Sequence, residues 1–140
     1  MLNFQRVLRF CLVYRIEKKP YGIKFTFDGF VPPEEMSEYK KEFRLVLDLV
    51  PAQFGILSDL RNMKPLPPES QKILSANPEW TAGRITRSAT ILNSSLVKLQ
   101  SKRLATEWKQ GDTKRYIDAS KHSNWEELAI AWIEKGEEIE

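Results

Sequence analysis

An apolar run at residues 54–60 constrains the fold of this chain more than its other features do. The run begins at Phe54 and ends at Asp59-Leu60-Arg61, and prolines follow at positions 65, 67 and 68. Short runs rich in Ile and Leu between turn signals are typical of strands that are buried in a parallel sheet. This run therefore predicts a buried strand that leads into a functional loop of an α/β domain.

The residues around this run predict an alternation of strands and helices. Apolar residues alternate with polar ones at residues 8–16 and 23–27, which is typical of an antiparallel hairpin. Apolar spacings of three and four predict helices over 33–50, 67–76, 93–108 and 123–136, with Leu96, Leu99, Leu104 and Trp108 on the apolar side of the third and a Ser123–Glu126 capping box opening the last. Further strands are predicted at 88–92 and 115–117, after an irregular stretch at 80–87.

This order predicts the fold class. Strands that alternate with helices form right-handed parallel crossovers. We therefore expect an α/β fold in which an N-terminal antiparallel hairpin and three parallel strands make one five-stranded mixed sheet with four helices. At 140 residues the chain suits a single domain spanning 1–140.

The composition predicts the compartment of the protein and argues against one class of partner. Cys11 is the only cysteine, so no intramolecular disulfide forms, and a reducing cytoplasm is the expected compartment. No apolar run approaches the roughly 20 residues of a membrane span. Lys and Arg outnumber Asp and Glu nine to three over residues 80–121, but they show neither a regular interleaving with aromatic residues nor a recognisable nucleic-acid-binding module. We expect no nucleic-acid partner.

The sequence carries no decisive catalytic signature. It lacks the glycine patterns of serine hydrolases, phosphate loops and dinucleotide sites, and its single histidine, His122, lies in a predicted exposed loop. No set of metal ligands is evident. The sequence therefore predicts a protein that is not an enzyme and that needs neither a cofactor nor a metal.

Three stretches of the chain resemble the STAS family, which has the anti-sigma-factor antagonist fold, and in particular its SpoIIAA-like branch. They are residues 25–30 (Phe-Thr-Phe-Asp-Gly-Phe), residues 57–60 (Leu-Ser-Asp-Leu), and residues 114–117 with the helix that follows. The resemblance implies a non-catalytic regulatory or ligand-binding module that docks partners around its second helix. Phosphorylation-switched members carry an Asp-Ser-Ser-Gly type of sequence at the start of that helix, where this chain offers only Ser70. A phosphorylation switch at Ser70 therefore competes with a serine that is simply solvated in the first turn of the helix.

The predicted binding site lies beyond the carboxyl ends of the parallel strands, near a switch in strand order, where ligands of open sheets collect. A helix N-terminus and nearby basic side chains would favour an anion there. The residues expected at this rim are Asp59, Arg61, Asn62, Lys64, Ser70, Asn93, Ser94 and Ser95. Two structural alternatives compete with this site: Asp59 and Arg61 as a local ion pair, and Asn93 with Ser94 as helix caps.

A second hypothesis concerns the segment 70–84. Ile73 and Leu74 on the short second helix, together with Trp80, are interpreted either as a plug of the core or as a movable apolar flap. The sequence thus predicts a regulatory module that binds a protein partner or a small anionic ligand at the strand-end loops. The alternative is a carrier or sensor of a small lipid or other apolar ligand gated by residues 70–84. A homodimer is left open.

Overall fold

The computed structural model describes residues 13–93, 97–100, 102 and 111–139. Its five strands lie side by side in chain order, with the first pair antiparallel and the remaining pairs parallel. They are β1 (Tyr14–Lys19), β2 (Gly22–Gly29), β3 (Phe54–Met63), β4 (Ile85–Leu92) and β5 (Lys114–Asp118). The predicted α/β fold with a five-stranded mixed sheet is confirmed. Because the strand order never reverses, the predicted switch point is wrong.

Four helices accompany the sheet. They are α1 (Pro33–Leu47), α2 (Pro68–Ser75), α3, which is described at residues 97–100, and α4 (Trp125–Lys135). Two short 3₁₀ helices lie at Pro78–Trp80 and Gly111–Thr113. In the described part of the chain no helix has both the length and the apolar character needed to cross a membrane.

The helices cover the two faces of the sheet unequally. The face that we call the α4 face packs against α4 through Leu57, Ala89, Ile91, Ile117, Ala129, Trp132 and Ile133. The opposite face, which we call the α1 face, packs against α1, α2 and α3, and its core includes Ile16, Phe27, Ile56, Leu60, Tyr39, Phe43, Val46 and Val97. The two faces are therefore two separate apolar cores on one sheet.

On the α4 face the helix approaches the sheet closely because a glycine lies beneath it. A Cβ on Gly55 would overlap Cγ2 of Ile133 and lie 3.1 Å from the carbonyl oxygen of Tyr21. Trp132, which is 5 % exposed, donates from Nε1 to the carbonyl oxygen of Ser88 at 3.0 Å. The position of α4 on the sheet is thus determined by close packing on Gly55 and by a buried hydrogen bond.

Strand and helix ends depart from the sequence predictions where tertiary contacts decide them. The strand predicted to end at Leu60 continues to Met63, because β2 pairs with it beyond an irregularity in register and aligns Gly29 with Met63. Similarly, β4 begins at Ile85 inside the stretch predicted to be irregular. Residues 59–63 are therefore strand rather than loop.

Two predictions about helices are wrong. The Ser123–Glu126 capping box does not form, since α4 begins at Trp125 after Asn124, which makes no side-chain cap hydrogen bond. Leu99 is 66 % exposed although it was placed on the apolar side of its helix, whereas Val97 is fully buried. The apolar stripe of α3 is thus rotated from the predicted one, and Leu96, Leu104 and Trp108 lie outside the described residues.

Candidate functional site

Asp59 and Arg61 form a paired unit rather than an open anion site. Nε and Nη2 of Arg61 donate to the two carboxylate oxygens of Asp59 at 2.9 and 3.0 Å. The hydrogen bond to Asp59 raises the pKa of Arg61, and the guanidinium also stacks 4.3 Å from the ring centroid of Trp125. The charge of Arg61 is therefore already compensated, as in the local ion pair that the sequence left as an alternative.

The other predicted rim residues fall into three groups. Asn62, Lys64 and Asn93 are exposed near the ends of β3 and β4, where they were expected. Ser94 and Ser95 lie outside the described residues. Ser70 lies away from any rim. Among the described members of these groups, the first group is the one that is accessible to a partner at this edge of the sheet.

The placement of Ser70 corrects the sequence prediction. Its side chain is fully buried, and its hydroxyl donates to the carbonyl oxygen of Val31 at 2.8 Å. Its hydroxyl therefore ties α2 to the segment before α1, and neither a kinase nor a ligand reaches it in this conformation. The alternative interpretation, a serine solvated in the first turn of the helix, is wrong as well, because the side chain of Ser70 is buried.

The predicted flap residues Ile73, Leu74 and Trp80 are partly buried against the α1 face. Lys40 of α1 holds this segment down. Its ammonium donates to the carbonyl oxygens of Leu74 at 3.3 Å and of Ala76 at 2.6 Å, and lies 4.9 Å from the ring centroid of Trp80. Burial lowers the pKa of Lys40 to about 8. The end of α2 is thus latched to α1 through one lysine.

Directly after this latch the backbone turns sharply. Asn77 has φ 62° and ψ 46°, which makes it the one non-glycine residue with positive φ in the described part of the chain. Asparagine tolerates this left-handed conformation better than most residues. Pro78 then opens the short 3₁₀ helix that carries Trp80. The segment 70–84 is therefore a helix, a tight turn and a second short helix laid over the sheet.

Beneath this segment lies a cavity of about 100 Å³ between the α1 face and the helices. Most of its wall is apolar and comes from β2, β3, α1 and the segment around α2. These lining side chains are Phe25, Phe27, Tyr39, Phe43, Ile56, Leu60, Met63, Leu66, Leu74 and Ile85. Aromatic side chains pack edge to face along one wall, with Tyr39 and Phe27 4.8 Å apart between ring centroids. The cavity suits a small apolar group.

One part of the wall is polar, and it comes from the central and last strands. Ser58, Thr90 and Lys114 line the cavity. In the sheet Ser58 pairs with Thr90, and Thr90 pairs with Tyr116, so hydroxyl side chains follow one another across three strands. Such a row is unusual on the core side of a sheet, where apolar residues are the rule.

Several of these hydroxyls are buried without a partner. Oγ1 of Thr90, Oη of Tyr116 and Oγ of Ser88 make no hydrogen bond within the described part of the structure. Thr90 is 1 % exposed, so its side chain has little contact with bulk solvent. Most buried polar groups in proteins are hydrogen-bonded, and an unpaired one costs roughly 1–3 kcal/mol. The polar row therefore offers donors and acceptors that the described part of the chain leaves unused.

Lys114 adds a charge to this row. It is partly buried, and burial lowers the pKa of its ammonium to about 8. Among the described residues no carboxylate forms a salt bridge with it, and its Nζ lies 5.7 Å from the ring centroid of Tyr116. An ammonium in an apolar setting without an anion is destabilising.

The sequence reasoning missed this polar wall, although a signal for it was present. In the predicted strand 88–92, Ser88, Thr90 and Leu92 share one side and Ala89 and Ile91 the other. Once both sides of a central strand are known to be covered, its hydroxyls must face a core. The sequence carried no comparable signal for the burial of Lys114. That burial depends on which side of β5 faces the core between the sheet and the helices of the α1 face.

The chain matches no protein-family model, no curated protein and no solved structure. The resemblance to the STAS family therefore stays a prediction. Within the described residues, no group of three or more His, Cys, Asp and Glu side chains converges to hold a metal ion.

Proposed function

We propose that this chain is a non-catalytic, STAS-like module of the cytoplasm that binds a small, largely apolar ligand as a carrier or sensor. The ligand would occupy the cavity on the α1 face, and the segment 70–84 would act as its gate. The observation that carries the proposal is the cavity itself, which lies beneath a latched segment and is walled mainly by aromatic and aliphatic side chains.

The latch supports the gating part of this proposal. Leu74 lines the cavity, and its carbonyl group accepts from Lys40, so displacing this segment opens the wall of the cavity. The segment is joined to α1 by side-chain contacts rather than by sheet hydrogen bonds, and segments of this kind open at low free-energy cost. Binding therefore needs only a local movement.

The strand-end loops have less support as a ligand site. Arg61 is compensated by Asp59, and Ser70 is buried, so two of the groups expected there are engaged within the chain. Asn62, Lys64 and Asn93 remain exposed at that edge, and docking of a protein partner on them stays a prediction.

A neutral probe tests the proposal directly. Hexanamide, with roughly eight non-hydrogen atoms, should bind with a dissociation constant on the order of 1 mM. Titration followed by ¹H–¹⁵N NMR should shift the amides of cavity residues such as Phe25, Ser58 and Thr90, and leave those of α4 unchanged. Saturation of these shifts would support the proposal, whereas shifts confined to α4 or no shifts at all would refute it.

Filling the cavity supplies a second test. Leu74→Trp places a larger side chain at the cavity wall and should weaken hexanamide binding about tenfold or more. Leu45→Trp is the matched control, since Leu45 also lies on a helix but is 59 % exposed and does not line the cavity. Equal loss of binding in both variants would argue against the cavity as the site.

A further inference from the structure

We infer that the ligand of this cavity is a small monocarboxylate whose carboxylate lies against Lys114 and Thr90 and whose apolar tail lies among the aromatic side chains. This inference rests on the proposed function, because it assigns a chemical class to the ligand of the same cavity. It goes further by dividing the cavity into an anion-binding end and an apolar end.

Not every polar side chain of the cavity is free to meet a ligand. Lys40 is committed to the carbonyl groups of Leu74 and Ala76. Gln100 is committed in both directions, since its Oε1 accepts from the backbone N–H of Leu66 at 2.9 Å and its Nε2 donates to the carbonyl oxygen of Leu66 at 3.1 Å. These two side chains hold the wall together.

Lys114 and Thr90 differ from them in having unused hydrogen-bonding capacity. Both line the cavity, from β5 and β4 respectively. No ion pair of Lys114 and no hydrogen bond of the Thr90 hydroxyl is found within the described part of the chain. An ammonium and a hydroxyl on two residues that line one apolar cavity form a donor set that suits an anion.

Neighbouring groups strengthen this end of the cavity. Tyr116 pairs with Thr90 in the sheet register, and its buried hydroxyl also lacks a partner among the described residues. Burial lowers the pKa of Lys114 to about 8, so the ammonium is still charged at neutral pH and is poorly solvated. A poorly solvated cation binds an anion more strongly than an exposed one does.

Charge and size select a monocarboxylate. Among the described residues that line the cavity, Lys114 is the one cation not engaged with carbonyl groups of the chain, and it balances one negative charge. A phosphate, by contrast, brings up to two charges and three or four oxygens. A carboxylate presents two oxygens, which Lys114 and the Thr90 hydroxyl can meet together. The volume of about 100 Å³ and the aromatic wall limit the remainder to a short aliphatic or aromatic tail.

A matched pair of probes separates this inference from the proposed function. Hexanoate and hexanamide have almost the same shape but differ in charge. In ¹H–¹⁵N NMR titrations at pH 7, hexanoate should bind about tenfold more tightly than hexanamide, because charge-assisted hydrogen bonds are stronger than neutral ones. Pentylphosphonate, with a larger and more highly charged head group, should bind more weakly than hexanoate.

Substitutions test the roles that this inference assigns to Lys114 and Thr90. Lys114→Met should abolish the roughly tenfold preference for hexanoate over hexanamide. Thr90→Val should weaken hexanoate binding about threefold. Lys121→Met is the control for loss of one positive charge, because Lys121 is exposed in the turn after β5, and it should keep the full preference. Unchanged NMR spectra of the free variants confirm that each one folds.

The outcomes are distinguishable. If hexanamide and hexanoate bind the cavity equally well in the wild type, the anion-binding end is refuted and the proposed function stands. If neither probe shifts cavity residues, both are refuted. Tighter binding of pentylphosphonate than of hexanoate would overturn the choice of a carboxylate. A preference for hexanoate that survives Lys114→Met would overturn the assignment to Lys114.

Discussion

The two faces of the sheet are built from the same strands but are completed differently. On the α4 face, Trp132 donates to the carbonyl oxygen of Ser88, Arg115 stacks 4.0 Å from the Trp132 ring centroid, and Ile133 packs directly on Gly55. On the α1 face, a cavity remains, and it is lined by Thr90 and Lys114. In the described structure the hydroxyl of Thr90 has no hydrogen-bond partner and the ammonium of Lys114 forms no salt bridge.

The difference indicates which face of the sheet stabilises the fold and which face is suited to bind a ligand. A face that is filled contributes to the free energy of folding, since each fully buried large apolar side chain contributes roughly 1.5–3 kcal/mol. A face that keeps a cavity gives up part of that gain. Such a departure from consistent packing is expected at a functional site. The α4 face therefore supports the sheet, and the α1 face presents the site.

Truncating a large side chain on each face should give the largest contrast. Trp132→Ala should lower the free energy of unfolding by about 3–5 kcal/mol, because it empties a filled core and removes a buried hydrogen bond. Phe43→Ala should cost less, about 2 kcal/mol, because Phe43 already borders the cavity. Urea unfolding of both variants measures the difference. A larger loss for Phe43→Ala than for Trp132→Ala would break the comparison.

Adding a methyl group on the α4 face should also destabilise the protein. Gly55→Ala introduces a Cβ where Cγ2 of Ile133 lies, and overpacking of this kind costs about 1–3 kcal/mol. The second substitution Ile133→Leu removes that γ-methyl branch and should recover part of the loss. A double-mutant cycle from urea unfolding measures the coupling. Strictly additive effects would mean that a Cβ at position 55 does not clash with the side chain of Ile133.

Removing the charge on the α1 face should instead stabilise the protein. Lys114→Met eliminates an unpaired ammonium and should raise the free energy of unfolding by about 1 kcal/mol at pH 7, a modest figure because part of the residue reaches solvent. In the folded wild-type protein the pKa of Lys114 is lowered to about 8 from an ordinary value of 10.5. Urea unfolding of variant and wild type from pH 7 to pH 10 measures both the gain and its dependence on pH.

The pH dependence follows from the sign of that shift. Below pH 8 the lysine is charged in both states, and its burial penalises the folded state of the wild type. Between pH 8 and 10.5 the folded state releases the proton that the unfolded state keeps, so the wild type gains stability as the pH rises. The advantage of Lys114→Met should therefore shrink toward pH 10. Lys40, whose pKa is also lowered to about 8, contributes equally in both proteins. A constant or growing advantage would contradict the burial of an unpaired charge.

Two hydroxyl deletions should give the smallest effects, with opposite signs. Thr90→Val removes an unpaired hydroxyl and should raise the free energy of unfolding by about 0.5–1 kcal/mol. Ser70→Ala removes the donor to the carbonyl oxygen of Val31 and should lower it by about 1 kcal/mol. Thermal unfolding with calorimetry resolves both changes. A destabilised Thr90→Val would show that the hydroxyl has a partner in the folded protein.

Much of the fold was predictable because hydrophobic periodicity is local information. The alternation in residues 23–27 and the spacing of three and four after Pro33 fixed the type and order of elements without knowledge of the tertiary structure. The end of β3 was not predictable in this way. It extends to Met63 because β2 supplies partners beyond a register irregularity, and such pairing connects residues far apart in the chain.

The candidate site was less predictable for the same reason. Asp59, Arg61 and Ser70 are polar residues near strand and helix ends, a pattern that predicts exposure, yet Arg61 pairs with Asp59 and Ser70 reaches Val31 across 39 positions. The burial of the segment 70–84 was easier to predict, because Leu74 and Trp80 are apolar residues in a short, irregular segment. Leu74 lines the cavity and Trp80 packs against the core of the α1 face, whereas movement of this segment stays a prediction.

A crystal structure of the protein with hexanoate tests the account most directly, because it shows both the cavity and its polar end. We expect the aliphatic tail among Phe25, Tyr39 and Phe43, and a carboxylate oxygen about 2.7–3.0 Å from Nζ of Lys114 and about 2.7 Å from Oγ1 of Thr90. A structure in which hexanoate binds elsewhere, while Lys114 pairs with a carboxylate of the chain and side chains fill the cavity, would contradict it.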